Sequence, residues 1–384
     1  MRFEFATATR IIFGRGAIRE LEQLARTFGT HPLIVTGKHL TPFERLAPFL
    51  IAKGISWHQF SVSGEPTIDM VLEGIHQYHA EACDFVIGLG GGSVLDAAKA
   101  IAALATNPGD PLLYLEVVGQ NQPLSSSPAP FIAIPTTSGT GSEVTRNAVL
   151  AVPSRQVKVS LRSPLMLAKL AIVDPEFTLT VPPNVTASTG MDALCQLVEP
   201  FVSKKATWMT DLFCREGIRY AAEALKQVYH HGEDYEAREK MSWVSLLGGL
   251  ALANGGLGAV HGFAGPIGGM FSAPHGAVCA KLLPRVVNWN VKALRSRQPD
   301  SPVLDRYREI ARLLLNSESA IIEDSVRFLD DLCEELNIPA LSVYGIKQAH
   351  ITEIVEKARV SNSMQANPIE LTTEEMKAIL MESL

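Results

Sequence analysis

The chain has 384 residues, enough for two or three domains, and 47% of them are hydrophobic against 19% charged; this excludes a disordered protein. A formal net charge of −6, with Lys and Arg scattered along the chain, gives no basic footprint for nucleic acid. Five cysteines without a C-x-x-C pair fit reduced cytoplasmic thiols better than a disulfide framework or a cysteine zinc site. Met1–Phe5 carries no basic-then-apolar signal pattern, which also predicts a cytoplasmic location.

Taken in chain order, residues 3–13 alternate like an edge strand. Pro32–Thr36, Asp84–Gly88, Pro130–Ile134 and Leu170–Val173 read as buried strands, with helical patterns over Met70–Ala82 and Ser93–Ala105 between them. That alternation predicts an α/β domain with a parallel, Rossmann-like sheet. From about Asn184 the β signal fades. Helical periodicity then covers Ser188–Val202, Trp208–His230, Ala237–Ala253, Asp305–Leu315, Ser317–Leu336 and Ile351–Ala358. Residues 174–183 hold three prolines and form the natural hinge. The expected organisation is an α/β dinucleotide-binding domain over 1–182, an all-helical metal and substrate domain over 183–384, and a cleft between them.

Residues 241–280 contain no Asp, Glu, Lys or Arg, yet hold ten glycines, two prolines, Asn254, His261 and His275. The length alone would span a bilayer, but lipid cannot satisfy so broken a backbone. Buried helices lining a cavity, with no membrane involved, are expected instead. A lone apolar-face histidine is ordinarily a hydrogen-bonded core residue. Two in uncharged surroundings can share one divalent metal.

Two loops have the composition of a phosphate cradle. Gly88-Leu-Gly90-Gly91-Gly92-Ser93 follows a strand and opens a helix, where glycines let backbone N–H groups and the helix N-terminus approach an anion. Ser93 and Asp96 are spaced as an N-terminal capping pair. Pro135 to Glu143, with hydroxyls at Thr136, Thr137, Ser138, Thr140 and Ser142, follows a second strand, at the edge where open sheets bind ligands. Glycine turns also serve purely steric ends, and a hydroxyl-rich stretch can be a plain polar loop. The two together favour a dinucleotide.

With these loops, Gly190-Met191-Asp192-Ala193-Leu194, His261-Gly262 and Pro274-His275-Gly276 before Leu282-Leu283-Pro284, the chain resembles the iron-containing, or group III, alcohol dehydrogenases almost end to end. The resemblance implies their fold, shared with dehydroquinate synthase-type cyclases. It also implies NAD(P)-dependent interconversion of a small alcohol and an aldehyde or ketone at a divalent metal, in a homodimer or larger assembly. Asp96, Lys158 and the hydroxyls of 138–142 would lie along the cofactor, and Asp192, Gln196, His261 and His275 would occupy the metal positions.

Two positions depart from the family pattern. Gln196 stands where the family has a metal-binding histidine one helical turn after Asp192, and Gly265 stands where many members place a histidine near the substrate. Asp192, His261 and His275 still form a two-histidine, one-carboxylate set suited to zinc or ferrous iron. The set is expected to hold more zinc than iron after aerobic purification, often at partial occupancy. Gln196 is then a weak fourth ligand through its side-chain oxygen or a residue that positions a bound water. After the first buried strand, Gly37 replaces the acidic residue that NAD-selective members often carry, and Lys38 follows it, so NADP as well as NAD is expected to be accepted. Other readings of the same fold are a metal-independent reductase resembling maleylacetate reductases, a sugar-phosphate cyclase, and a non-catalytic cofactor-binding member.

Overall fold

The computed structural model describes residues 2–39, 41–155 and 157–384. The chain forms two compact units. One comprises Ala6–Thr137 and Gly141–Thr180; the other comprises Val181–Leu384 together with Ser138–Thr140 and the N-terminal residues up to Phe5.

The first unit runs β1 (Ile11–Phe13), α1 (Leu21–Leu24), β2 (Pro32–Thr36), α2 (Thr41–Ile51), β3 (His58–Ser61), α3 (Ile68–Ala80), β4 (Phe85–Gly90), α4 (Gly92–Leu104), β5 (Phe131–Pro135), β6 (Asn147–Val152), β7 (Val157–Arg162) and β8 (Leu170–Val173). One sheet has the order β1-β8-β5-β4-β2-β3 with parallel pairing throughout, and β6 and β7 form an antiparallel pair. Every residue of β2, β4, β5 and β8 is buried, because helices cover both faces of such a sheet. That is why these strands read as unbroken apolar runs. From β2 the chain turns to β3 on one side, and from β4 to β5 on the other. The crevice at the carboxyl ends of β2 and β4 is therefore the topological switch point, where open sheets bind ligands.

Several elements differ from expectation. Only Ile11–Phe13 of the alternating 3–13 stretch is a strand; the Phe5 ring packs on Phe213, with centroids 5.6 Å apart, so apolar burial elsewhere draws the chain out of the sheet. β3 and the β6–β7 pair went unforeseen. β3 is short and half polar, and β6 alternates buried with half-buried residues, so neither has a continuous apolar run.

The second unit is helical: α5 (Pro183–Val202), α6 (Trp208–His230), α7 (Tyr235–Gly255), α8 (Ala259–Met270), α9 (His275–Arg297), α10 (Val303–Leu315), α11 (Ile322–Glu335), α12 (Ile351–Arg359), α13 (Asn362–Ala366) and α14 (Thr373–Met381). α5 starts five residues before the expected Ser188, with Pro183 at its first helical position, where a missing N–H costs nothing. α9 was not foreseen, since its early Gly276 and internal Pro284 disguise the helical period. α11 begins at Ile322 rather than Ser317 because Asn316 adopts a left-handed conformation, φ 49°, that ends α10.

The uncharged 241–280 stretch supplies most of α7, all of α8 and the first turns of α9. Much of it joins one core with α5, including Met191, Leu194, Val260, Phe263 and Cys279. Among the described residues no single helix is long and apolar enough to cross a membrane, and α7 and α8 meet at a 97° bend.

Candidate active site

α5 is buried almost without interruption from Gly190 to Val202. Asp192, Gln196 and Glu199 are spaced four and three residues apart, which aligns them on one helix face. Asp192, Gln196 and Glu199 retain 2%, 3% and 4% exposure, and three such groups need partners there. The Gln196 amide donates from Nε2 to Asp192 Oδ2 at 3.0 Å. Glu199 accepts the backbone N–H of Val260 at 2.6 Å and His261 Nδ1 at 2.6 Å, while Asn367 Oδ1 accepts the N–H of Ala259 at 3.1 Å. The first turn of α8 is thus capped from outside itself. With Nδ1 taken by Glu199, Nε2 is the His261 nitrogen that faces Asp192.

His275 opens α9, and its approach depends on Gly276. A Cβ on Gly276 would lie 2.3 Å from the Ser188 carbonyl oxygen on α5, so glycine is what lets the two backbones come this close. Asp192 Oδ1 is 3.3 Å from His261 Nε2 and 3.7 Å from His275 Nε2. One turn along α9, Cys279 Sγ lies 3.6 Å from His275 Nε2 and 3.9 Å from His261 Nε2. His275 keeps 38% of its side-chain exposure where Asp192 keeps 2%.

Burial works to raise the Asp192 pKa, but the imidazoles of His275 and His261 outweigh it and hold the carboxyl below its usual range. For His261 burial works downward, and Cys279, Asp192 and Glu199 together carry the imidazole well above its usual value.

These residues fit a divalent cation. Asp192 Oδ1 is buried and accepts no hydrogen bond, a costly state for a carboxylate unless a cation meets it. One donor atom each from Asp192, His261, His275 and Cys279 lie within 4.8 Å of one another. Sequence reasoning found Asp192, His261 and His275 but missed Glu199 and Cys279. Both carried a signal: Glu199 repeats the Asp192 face at i+7, and Cys279 repeats the His275 face at i+4.

The dinucleotide candidates fall into two sets. At the switch point, Gly90 pairs with Pro135 across β4 and β5, Thr136 donates its N–H to the Gly90 carbonyl at 3.0 Å, and a Cβ on Gly91 would lie 3.2 Å from Thr137 Oγ1. Gly91 is the N-cap of α4 and no side chain caps that helix, so Ser93 and Asp96 do not form the expected capping pair. Gly37 lies just past β2, and a Cβ there would find only Val94 within 4 Å; Lys38 is exposed.

The other set is engaged within the protein. Asp96 accepts from Ser142 Oγ at 2.6 Å and from the Val149 N–H at 2.9 Å. Buried Lys99 donates to the Ser142 carbonyl and hydroxyl, to Thr145 Oγ1 and to the Asn147 carbonyl. Lys158 Nζ sits 3.1 Å from Glu65. In the helical unit, Ser138 Oγ lies 3.1 Å from Ser242 Oγ, and Thr140 is half-buried beside it in sequence.

Comparison with known proteins places this arrangement. Residues 8–175 match the iron-containing alcohol dehydrogenase family and residues 186–384 match the C-terminal family of Fe-containing alcohol dehydrogenases. The chain belongs to the iron-containing alcohol dehydrogenase family. It is 34% identical over 379 residues to alcohol dehydrogenase 4 of Schizosaccharomyces pombe, covering 97% of this chain and 87% of that one. It is 32% identical over 384 residues to the NAD-dependent methanol dehydrogenase of Bacillus methanolicus, covering 97% of each. A crystal structure of 1,3-propanediol oxidoreductase superposes with a TM-score of 0.91 at 31% identity, covering both chains fully. The protein is accordingly a nicotinamide-dependent oxidoreductase acting on CH–OH donors, interconverting alcohol and carbonyl compounds.

Proposed function

We propose that this alcohol dehydrogenase works through a divalent ion held by Asp192, His261 and His275, zinc in preference to iron, and that it accepts NADP(H) as well as NAD(H). The observation that carries the metal reading is the buried, unpartnered Asp192 Oδ1 facing two imidazole Nε2 atoms at 3.3 and 3.7 Å. When bound, the ion supplies the Lewis acidity that polarises a carbonyl and the nicotinamide supplies the hydride. The chain's own residues prepare the site. Glu199 fixes the ring of His261 through Nδ1, and Gln196 holds Asp192 through Oδ2. The half-exposed His275 borders the route by which a small alcohol or aldehyde enters. At position 265, where a side chain would meet nothing within 4 Å, there is room for the substrate, and glycine brings no group of its own to transfer a proton.

For the cofactor, Gly90, Gly91, Gly92 and Ser93 at the uncapped start of α4 present N–H groups to a pyrophosphate. Thr136 and Thr137 beside them extend this cradle, and Asp96 and Ser142 brace the following loop on β6. Gly37 offers no carboxylate to repel a ribose 2′-phosphate, and Lys38 is free of any charge partner among the described residues. The five cysteines are unpaired and buried, in keeping with a reducing cytoplasm. β1 ends the strand order beside β8, and an edge strand is where a second copy in a homodimer would add.

The test is metal removal. Chelated protein, verified metal-free, loses turnover with simple aldehydes and NAD(P)H and regains it on adding zinc. Full kcat without metal would overturn the reading in favour of a metal-independent reductase.

A further inference from the structure

The family position for a fourth ligand carries an amide here, whose Nε2 is engaged by Asp192 and whose Oε1 is buried without a hydrogen-bond partner. Gln196 Nε2 is bonded to Asp192 Oδ2, and its Oε1 lies against α7, 3.5 Å from where a Gly248 side chain would be. The cluster also contains a buried thiol. Cys279 comes from α9, one turn beyond His275, so a single rigid helix fixes both donors at i and i+4.

The distances discriminate. Zinc bonds of about 2.0–2.1 Å to nitrogen or oxygen and 2.3 Å to sulfur, arranged tetrahedrally, require N···O separations of about 3.4 Å and N···S separations of about 3.6 Å. The cluster has 3.3 and 3.7 Å from Asp192 Oδ1 to the two imidazoles, and 3.6 and 3.9 Å from Cys279 Sγ to the same two nitrogens. Four edges of a tetrahedron are therefore already within a few tenths of an ångström of the spacing zinc needs. The unpartnered Asp192 Oδ1 points into the same space.

Resting on the metal reading above, we propose that Cys279, as thiolate, is the fourth metal ligand in place of Gln196, giving an Asp192–His261–His275–Cys279 set that selects zinc. Thiolate and imidazole in tetrahedral array favour zinc, whereas ferrous iron favours sites of higher coordination number with oxygen and nitrogen donors. A second anionic ligand also balances the charge of the dication. That makes the ion harder to lose in a buried site while tempering its pull on a carbonyl.

Cobalt(II) reports the ligand atoms directly, without activity. The full-length protein is stripped with chelator and titrated with cobalt(II) in the absence of oxygen. The wild type is expected to show the visible bands of tetrahedral cobalt and a near-ultraviolet sulfur-to-cobalt charge-transfer band. Cys279→Ser loses the charge-transfer band but keeps visible cobalt absorption from Asp192, His261 and His275. Its zinc affinity falls by at least the roughly 10–100-fold scale of a supporting partner. Cys195→Ser, at the neighbouring thiol that donates to the Cys279 carbonyl at 3.5 Å, and Gln196→Leu both retain the band. Wild-type protein that binds cobalt without a charge-transfer band overturns the proposal and leaves the metal reading standing. Wild-type protein that binds no cobalt overturns both. The wild-type spectrum decides even where Cys279→Ser fails to fold.

Discussion

Glu199 lies 2.6 Å from His261 Nδ1 and 2.6 Å from the Val260 backbone nitrogen, so one carboxylate on α5 both caps α8 and sets the orientation of its imidazole. Two structural tasks meet in one buried residue. Glu199→Gln keeps the shape and removes the charge. Its zinc affinity, read by competition with a chromophoric chelator, should fall by about 10–100-fold, and turnover should recover at excess zinc. An unchanged affinity would show that the ring needs no such support.

Gly276 is the contact point of α9 and α5. An alanine Cβ there would sit 2.3 Å from the Ser188 carbonyl oxygen and 2.7 Å from its carbon, both backbone atoms that cannot rotate aside. Gly276→Ala must part the helices, at a cost of about 1–3 kcal/mol typical of overpacking. It should also weaken metal binding by moving His275 and Cys279 away from Asp192 together. Urea unfolding and zinc titration read the two effects, and a variant with normal zinc affinity would count against the coupling.

Gly37 sits at the switch point with open space beside it. Gly37→Asp should shift the kcat/KM ratio toward NADH, because a carboxylate accepts the ribose 2′-hydroxyl and repels a 2′-phosphate. A wild type that prefers NADH tenfold or more, or a variant with the parent's ratio, contradicts the proposed role of Gly37.

Burial pushes the Glu143 carboxyl up to about 7, against the opposing pull of its local backbone hydrogen bond and of Lys99. The native chain therefore holds a proton that the unfolded chain releases in the ordinary carboxylate range. This contribution to stability is complete below that range and is lost as pH rises through about 7. Glu143→Gln removes the titration, so its urea midpoint should decline less than the wild type's between mildly acidic and neutral pH. Parallel pH profiles would show that Glu143 is ionised throughout.

Lys99 is fully buried and donates to four oxygens from Ser142, Thr145 and Asn147, with Asp96 3.8 Å away. Lys99→Met strands those acceptors and leaves Asp96 without its cation, which should destabilise the protein by about 3–5 kcal/mol. A loss under roughly 1 kcal/mol in denaturant unfolding would mean that water replaces the ammonium.

How legible each feature was follows from the range of the interactions that make it. β2 and β8 were readable to the residue because a strand buried on both faces leaves an apolar run with sharp ends. α6 was equally clear, since Thr207 caps it and reciprocates with Thr210, a local signal. The β6–β7 pair was not, because half its residues face outward and its partner is defined only by register. Ser93 and Asp96 have the spacing of a cap. Asp96 is instead taken by the Ser142 hydroxyl and the Val149 N–H, contacts some fifty residues away that no local pattern encodes.

The sequence by itself determined the α/β-then-helical order and the glycine turn after β4, and it brought Asp192, His261 and His275 forward as candidate metal ligands, because each rests on residue type, short-range periodicity or the joint order of motifs. Only the tertiary structure decided which other side chains join them. Glu199 and Cys279 become part of the site through the packing of α5, α8 and α9, with Gly276 permitting backbone contact between α9 and α5, and Asp96 and Lys158 are drawn into internal partnerships with residues far along the chain. Residue chemistry is carried locally. Which donors share one small volume is set by helix packing, and that depends on contacts between residues tens of positions apart.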